Sequence, residues 1–154
     1  MVVPPTRRIR FGFQLGSEHE SDPVGVAQRA EQLGFDTVLL SDHVGPGISP
    51  MVALAAMAQG TTRIRVGTYT LNNDMRNPVQ LAWEAATIDH LSGGRLEVGL
   101  GAGTRAGVCV HLRVSVDEIA AQIIGHRDRW GITYFGVRSL DAFAPVLAAV
   151  RSLE

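Results

Sequence analysis

The sequence predicts an α/β protein built on a parallel β-sheet flanked by helices, and two observations carry that prediction. Short β-branched or aromatic runs at 9–15, 37–40, 64–70, 96–100 and 132–137 are apolar nearly throughout, as strands buried on both faces read. Between them lie stretches with helical spacing and clear caps, and such alternation demands parallel strands joined by right-handed crossovers. With 154 residues, 45% of them hydrophobic and 19% charged, the chain has the makings of one compact domain, 1–154, with a real core.

The elements follow in order. After the first strand, Ser21-Asp22-Pro23 caps a helix carrying Val26, Ala27, Ala30 and Leu33, and Gly34 stops it. The second strand leads to Ser49-Pro50 and the third to Asn77-Pro78, each a capping residue followed by proline at the first helical position. The fourth strand runs into GAGTRAGVCVHLRV, 101–114, a glycine-rich loop and a small apolar run without helical period. A capping box at Ser115-Val116-Asp117-Glu118 then opens a helix, followed by the last strand and a helix near Ser139.

The formal net charge is −1 with both signs interspersed, so neither nucleic acid nor an anionic membrane surface is predicted as a partner. Arg7, Arg8 and Arg10 read as a solvated flank. The single cysteine, Cys109, excludes an internal disulfide and fits a reducing cytoplasm. The first residues lack the apolar core of a signal peptide, and no apolar run approaches ~18 residues, so a soluble cytoplasmic protein is expected.

Several segments together resemble the luciferase-like monooxygenase superfamily, in particular its deazaflavin-dependent branch. They are FGFQLG, AEQLGFDTVLLSDHVG, TTRIRVGTYTLNND and NPVQLAWEAATIDHLSGGRLEVGLGAG within about 8–105, then SVDEIAAQIIGHRDRWGITYFGV and LDAFAPV within about 112–150. The SDH, VGT, LSGGR and GLGAG elements appear in the family's order. Members are TIM barrels, a fold of ~250 residues. The resemblance therefore implies a truncated (β/α)8 barrel lacking strands five to seven, with five parallel strands in the order 4-3-2-1-8. It implies a flavin- or deazaflavin-dependent oxidoreductase, transferring a hydride or supporting monooxygenation on a small organic substrate. The alternatives are a non-catalytic flavin-binding remnant and an interaction subunit that pairs with a full-length relative. Coenzyme F-420 is the expected cofactor, with FMN the alternative.

Site residues come with the resemblance. Ser41-Asp42-His43 lies where a barrel strand opens into its βα loop, the place where such folds keep chemistry. His43 is the expected acid or base beside the flavin ring and Asp42 a contact at the ring edge; the bare residues also read as a cap and an exposed turn histidine. Thr68, Tyr69 and Thr70 form the expected backbone bed, with a non-proline cis peptide at Tyr69–Thr70. Gly101, Ala102 and Gly103 would let the backbone approach the cofactor. This glycine run is one position short of the dinucleotide pattern and no helix follows it at once, which argues against a Rossmann unit. Relatives can carry an acidic residue where Thr104 stands here, a departure that puts proton transfer in doubt.

Other candidates read more simply. Cys109 and His111 lack further ligands at metal-site spacing, so no metal is expected. Asn72, Asn73 and Asp74 form a loop, and Glu18, His19 and Glu20 a solvated one. Trp83 and Trp130 sit in apolar helical segments and are read as packing residues. The missing strands leave two open sheet edges and an expected apolar inner face, so a homodimer or larger assembly is predicted, face to face or by strand exchange. The resemblance implies that the helices at 50–59 and 78–91 correspond to those the family uses for dimer contacts.

Overall fold

The computed structural model describes residues 8–16, 21–43, 47–101 and 115–154. Five parallel strands form one sheet in the order β5-β3-β2-β1-β7, where β1 is Arg10–Gln14, β2 Thr37–Leu40, β3 Arg65–Thr68, β5 Leu96–Glu97 and β7 Tyr134–Val137. This is the predicted 4-3-2-1-8 order. The last strand joins the first through pairs such as Phe11 with Phe135, so both resembling segments contribute to one sheet.

Among the described residues five α-helices flank the sheet: α1 Pro23–Leu33, α2 Pro50–Gly60, α3 Pro78–Ser92, α4 Val116–Trp130 and α5 Leu140–Leu153. Their ends follow the sequence closely. Asp22 accepts from the Gly25 N–H at 2.8 Å, Asn77 accepts from Val79 and Gln80, and Ser115 and Glu118 close the capping box. Gly34 and Gly93 end α1 and α3 with φ of +85° and +67°. Ser49 is the exception, because its side chain makes no capping bond. Alternate residues of β1 explain the layers: Phe11 and Phe13 are fully buried, Phe11 lying 5.5 Å from Phe143 of α5 and Phe13 6.2 Å from Phe35.

Two departures from the sequence expectation matter. The third and fourth strands are shorter than their apolar runs. Each breaks and resumes as a two-residue strand, β4 Leu71–Asn72 and β6 Leu100–Gly101, and these pair in a sheet of their own. The interruptions lie side by side and Thr68 spans them: its hydroxyl donates to Gly99 O at 3.0 Å and accepts from Gly99 N at 2.9 Å.

The second departure is the inner face, expected to be apolar. Registered pairs place Arg10, Gly12, Gln14, Thr37, Leu39, Arg65, Gly67, Glu97, Tyr134 and Gly136 on the side away from the helices. Long side chains lie over glycines there: a Cβ on Gly12 would meet Tyr134 Oη at 2.5 Å and Leu39 Cδ1 at 2.7 Å. Glu97 gathers the charge. It accepts from Arg10 Nη2, lies 2.7 Å from Arg65 Nε without hydrogen-bond alignment, and accepts from the Thr37 hydroxyl at 3.3 Å. The apolar residues counted in these runs were the helix-facing half of each strand. The inner face carries its own polar network, so covering an apolar surface is not what an assembly would have to achieve.

Trp83 is a further correction. It is 76% exposed on α3, not a packing residue, and Val52 of α2 is 71% exposed beside the same groove. The side chain of Trp130 lies outside the described residues.

Candidate active site at the carboxyl end of the sheet

The carboxyl ends of β2, β3 and β6 bring Asp42, His43, Thr68, Tyr69, Thr70 and Gly101 to one end of the sheet. Ala102 and Gly103 lie outside the described residues, as do Thr104, Cys109, His111, Glu18, His19 and Glu20. The Tyr69–Thr70 peptide is cis, as the resemblance implies. Tyr69 N donates to Leu40 O at 2.7 Å, which ties this bend to the end of β2, and the Tyr69 side chain is 57% exposed.

Glycine is required where β6 passes under this bend. A Cβ on Gly99 would lie 2.5 Å from Thr68 O, and one on Gly101 would lie 2.5 Å from Thr70 Oγ1. The GLG run thus lets the two interrupted strands close on each other. Thr68 is almost fully buried and holds the bend, while Thr70 and Tyr69 face outward.

His43 is exposed, whereas the neighbouring Asp42 side chain is 2% exposed. Both Asp42 oxygens are engaged: Oδ1 accepts from Arg76 Nη2 at 2.7 Å, and Oδ2 from Arg76 Nε at 3.1 Å and from Asn72 N at 3.0 Å. Burial alone would raise the Asp42 carboxyl. The Arg76 and Asn72 hydrogen bonds, with the charges of Arg76 and His43, outweigh it and hold the carboxyl below the ordinary aspartate value. Asp42 is therefore an ionised anchor between β2 and the β4 loop. Arg76 was missed from the sequence; its only signal was a lone arginine in a polar loop before a helix cap.

The LSGGR motif proves structural. Arg95 donates to Ser92 O, Thr61 Oγ1, Ile64 O and Ala58 O at 2.7, 3.0, 2.8 and 2.6 Å, joining the ends of α2 and α3 to the start of β3. Gly93 and Gly94, with φ of +67° and +82°, turn the chain so that Arg95 can reach them. Among the described residues no group of three or more potential ligands is placed to hold a metal, and no helix is long and apolar enough to cross a membrane.

A parallel sheet with helices on its outer face and candidate chemistry at its carboxyl ends is the architecture of a β/α-barrel enzyme segment. The luciferase-like monooxygenase family pattern matches residues 6–123, most of the chain, and the protein belongs to that family. An F420-dependent glucose-6-phosphate dehydrogenase from Kribbella flavida is 37% identical over 105 residues, 62% of this chain and 31% of that enzyme. The coenzyme F420-dependent tetrahydromethanopterin reductase of Methanopyrus kandleri superposes with a TM-score of 0.57 at 32% identity, over 64% of this chain and 28% of that one. A monooxygenase from Streptomyces bottropensis matches 94% of this chain and 43% of its own, with a TM-score of 0.54 at 26% identity. The chain spans less than a third of the length of the curated relatives it matches first.

Proposed function

We propose that this protein binds a flavin-type ring at the carboxyl end of its sheet and serves hydride transfer or monooxygenation of a small organic substrate. The observation that carries the reading is that exposed His43 and the Thr68–Thr70 bend, with Tyr69 outward and the bend packed on Gly99 and Gly101, gather at the carboxyl end of one sheet. Coenzyme F-420 is favoured over FMN, because two of the relatives above are named as F420-dependent.

The residues present suit the ring: an exposed imidazole follows β2, and the bend that follows the neighbouring β3 carries no charged side chain in its three residues. The bound group would supply hydride chemistry. His43 would hold or take a proton at the substrate, Thr68 to Thr70 and Gly101 to Gly103 would bed the ring, and Asp42 would meet its edge through the loop that it and Arg76 hold in place. With its carboxylate already paired, Asp42 acts by position more than by direct contact.

Fluorescence titration of the purified protein with F-420 and with FMN tests this, alongside His43→Ala. Saturable binding of one cofactor, weakened by the substitution, is expected. A folded sample that binds neither overturns the cofactor site and leaves the interaction subunit as the better reading. The non-catalytic remnant is told apart by turnover: it would bind and not react.

The assembly we propose is a homodimer through the groove between α2 and α3, about 720 Å3 and lined by Val52, Gln80, Trp83 and Glu84. Exposed Val52 and Trp83 are the kind of side chains that anchor such contacts. A monodisperse monomer in light scattering would refute it. The lone cysteine fits the reducing cytoplasm as its place of work.

A further inference from the structure

The amino ends of β1, β2 and β3, at the pole of the sheet opposite His43, hold a second concentration of charge. A cavity of about 600 Å3 opens there, lined by Arg8, Arg10, Arg63 and Arg65 with Glu31 and Asp36. That volume is ordinary for a small-molecule site.

The two carboxylates are already occupied. Glu31 accepts from the backbone N–H groups of Thr62, Arg63 and Ile64 at 3.1, 2.5 and 2.8 Å. Asp36 accepts from Phe11 N at 2.7 Å and from Arg151 at 2.8 Å, and pairs with Arg8 at 3.3 Å. At the base, Arg10 and Arg65 share Glu97. Arg151 also pairs with Glu154. Four arginines against two carboxylates line the cavity, and adding Glu97, Glu154 and Arg151 behind them still leaves one positive charge in excess. The surplus lies in the network of Arg8, Arg10, Arg65 and Arg151 on Asp36, Glu97 and Glu154; Arg63 forms no ion pair among the described residues, its charge acting on Glu31 at longer range, and Arg8 on the same cavity wall is 67% exposed.

We infer that this cavity binds a small phosphorylated metabolite, its phosphate held by Arg63 and Arg8 at the rim, with Arg10 and Arg65 beneath. Guanidinium groups offer planar pairs of donors that match phosphate oxygens two at a time, and they stay charged at any physiological pH. A phosphate bearing two charges can engage guanidiniums from both the β1 and β3 sides at once, which a single carboxylate cannot. The site is separate from the proposed flavin site and uses none of its residues.

The test is calorimetric titration of the full chain with inorganic pyrophosphate at low ionic strength, without any flavin, so that this site and the flavin site succeed or fail independently. Saturable one-to-one binding is expected, weakened at least tenfold in Arg63→Gln and less in Arg63→Lys, which keeps the charge without the fork. Because the Arg63 guanidinium forms no ion pair and acts on Glu31 only at longer range, Arg63→Lys should melt with the wild type and Arg63→Gln close to it; Arg8→Gln, at an exposed position, is the independent check and should also weaken binding. No saturable binding, binding indifferent to both Arg63→Gln and Arg8→Gln, or equal affinity for citrate would overturn the assignment.

Discussion

Asp42 and Arg76 meet in a two-point ion pair, with Nη2 2.7 Å from Oδ1 and Nε 3.1 Å from Oδ2, and Asp42 is nearly sealed from solvent. The same carboxylate also accepts from the Asn72 backbone, so one residue at the end of β2 pins both the β4 strand and the loop before α3. His43 follows directly on this anchor.

Removing Arg76 should therefore destabilise the fold and loosen the site together. Breaking a buried pair from one side typically costs ~3–5 kcal/mol; with Arg76 21% exposed, Arg76→Gln is expected to lose about 2 kcal/mol in urea unfolding. In the Arg76→Gln/Asp42→Asn double variant part of this should return, since no unpaired charge is left buried. A double variant as unstable as the sum of the singles would show that the pair is not the cause.

Stability should fall on acidification. The Asp42 carboxyl is held below its ordinary value of 3.8, and those of Glu31 and Glu154 below 4.5; in each, burial acts in the opposite direction and hydrogen bonds prevail. A folded-state pKa that is depressed means that the unfolded chain binds more protons, so this stabilisation is complete above about 4.5 and disappears as the pH falls below it. Urea midpoints measured from pH 7 down to 3 should drop through that window, and Asp42→Asn should flatten the drop.

At the alkaline end Tyr134 should act in the reverse sense. Burial chiefly raises its phenol above 10, aided by the charges of Glu97 and Asp36 against the opposing effects of Thr37 and Arg10. Its contribution is then complete below pH 10 and lost as the pH climbs toward the folded value. Tyr134→Phe should show a smaller alkaline loss than the wild type in thermal melts.

Two glycines should respond oppositely to alanine. A Cβ at Gly67 would lie 2.6 Å from the Glu97 carbonyl oxygen in the next strand, so Gly67→Ala is expected to cost about 1–3 kcal/mol. Gly125 in α4 has open space around it, and Gly125→Ala should stabilise by about 0.5–1 kcal/mol through helix propensity and unfolded-state entropy. Chemical denaturation of both variants checks the pair.

Glu97→Gln tests the inner face. It leaves Arg10 and Arg65 without their shared carboxylate, and as their side chains are 41% and 37% exposed, a loss of about 1 kcal/mol is expected. An unchanged urea midpoint would mean that solvent already neutralises both arginines.

By itself the sequence determined the alternation of strand and helix, the strand order through its resemblance, and most helix ends, because caps such as Asp22-Pro23, Asn77-Pro78 and Ser115 with Glu118 act within one turn. It also brought His43 and the Thr68–Thr70 bend into view, since both are local motifs. The tertiary structure alone decided what partners distant in sequence do: that Asp42 is spent on Arg76, that Trp83 is exposed, and that the third and fourth strands break side by side at Thr68 and Gly99. It decided the character of the inner face as well. An apolar run reads the same whether one or both of its faces are covered, and only strand register shows that Arg10, Arg65 and Glu97 share a side, where charges spaced far apart in the chain neutralise one another through space.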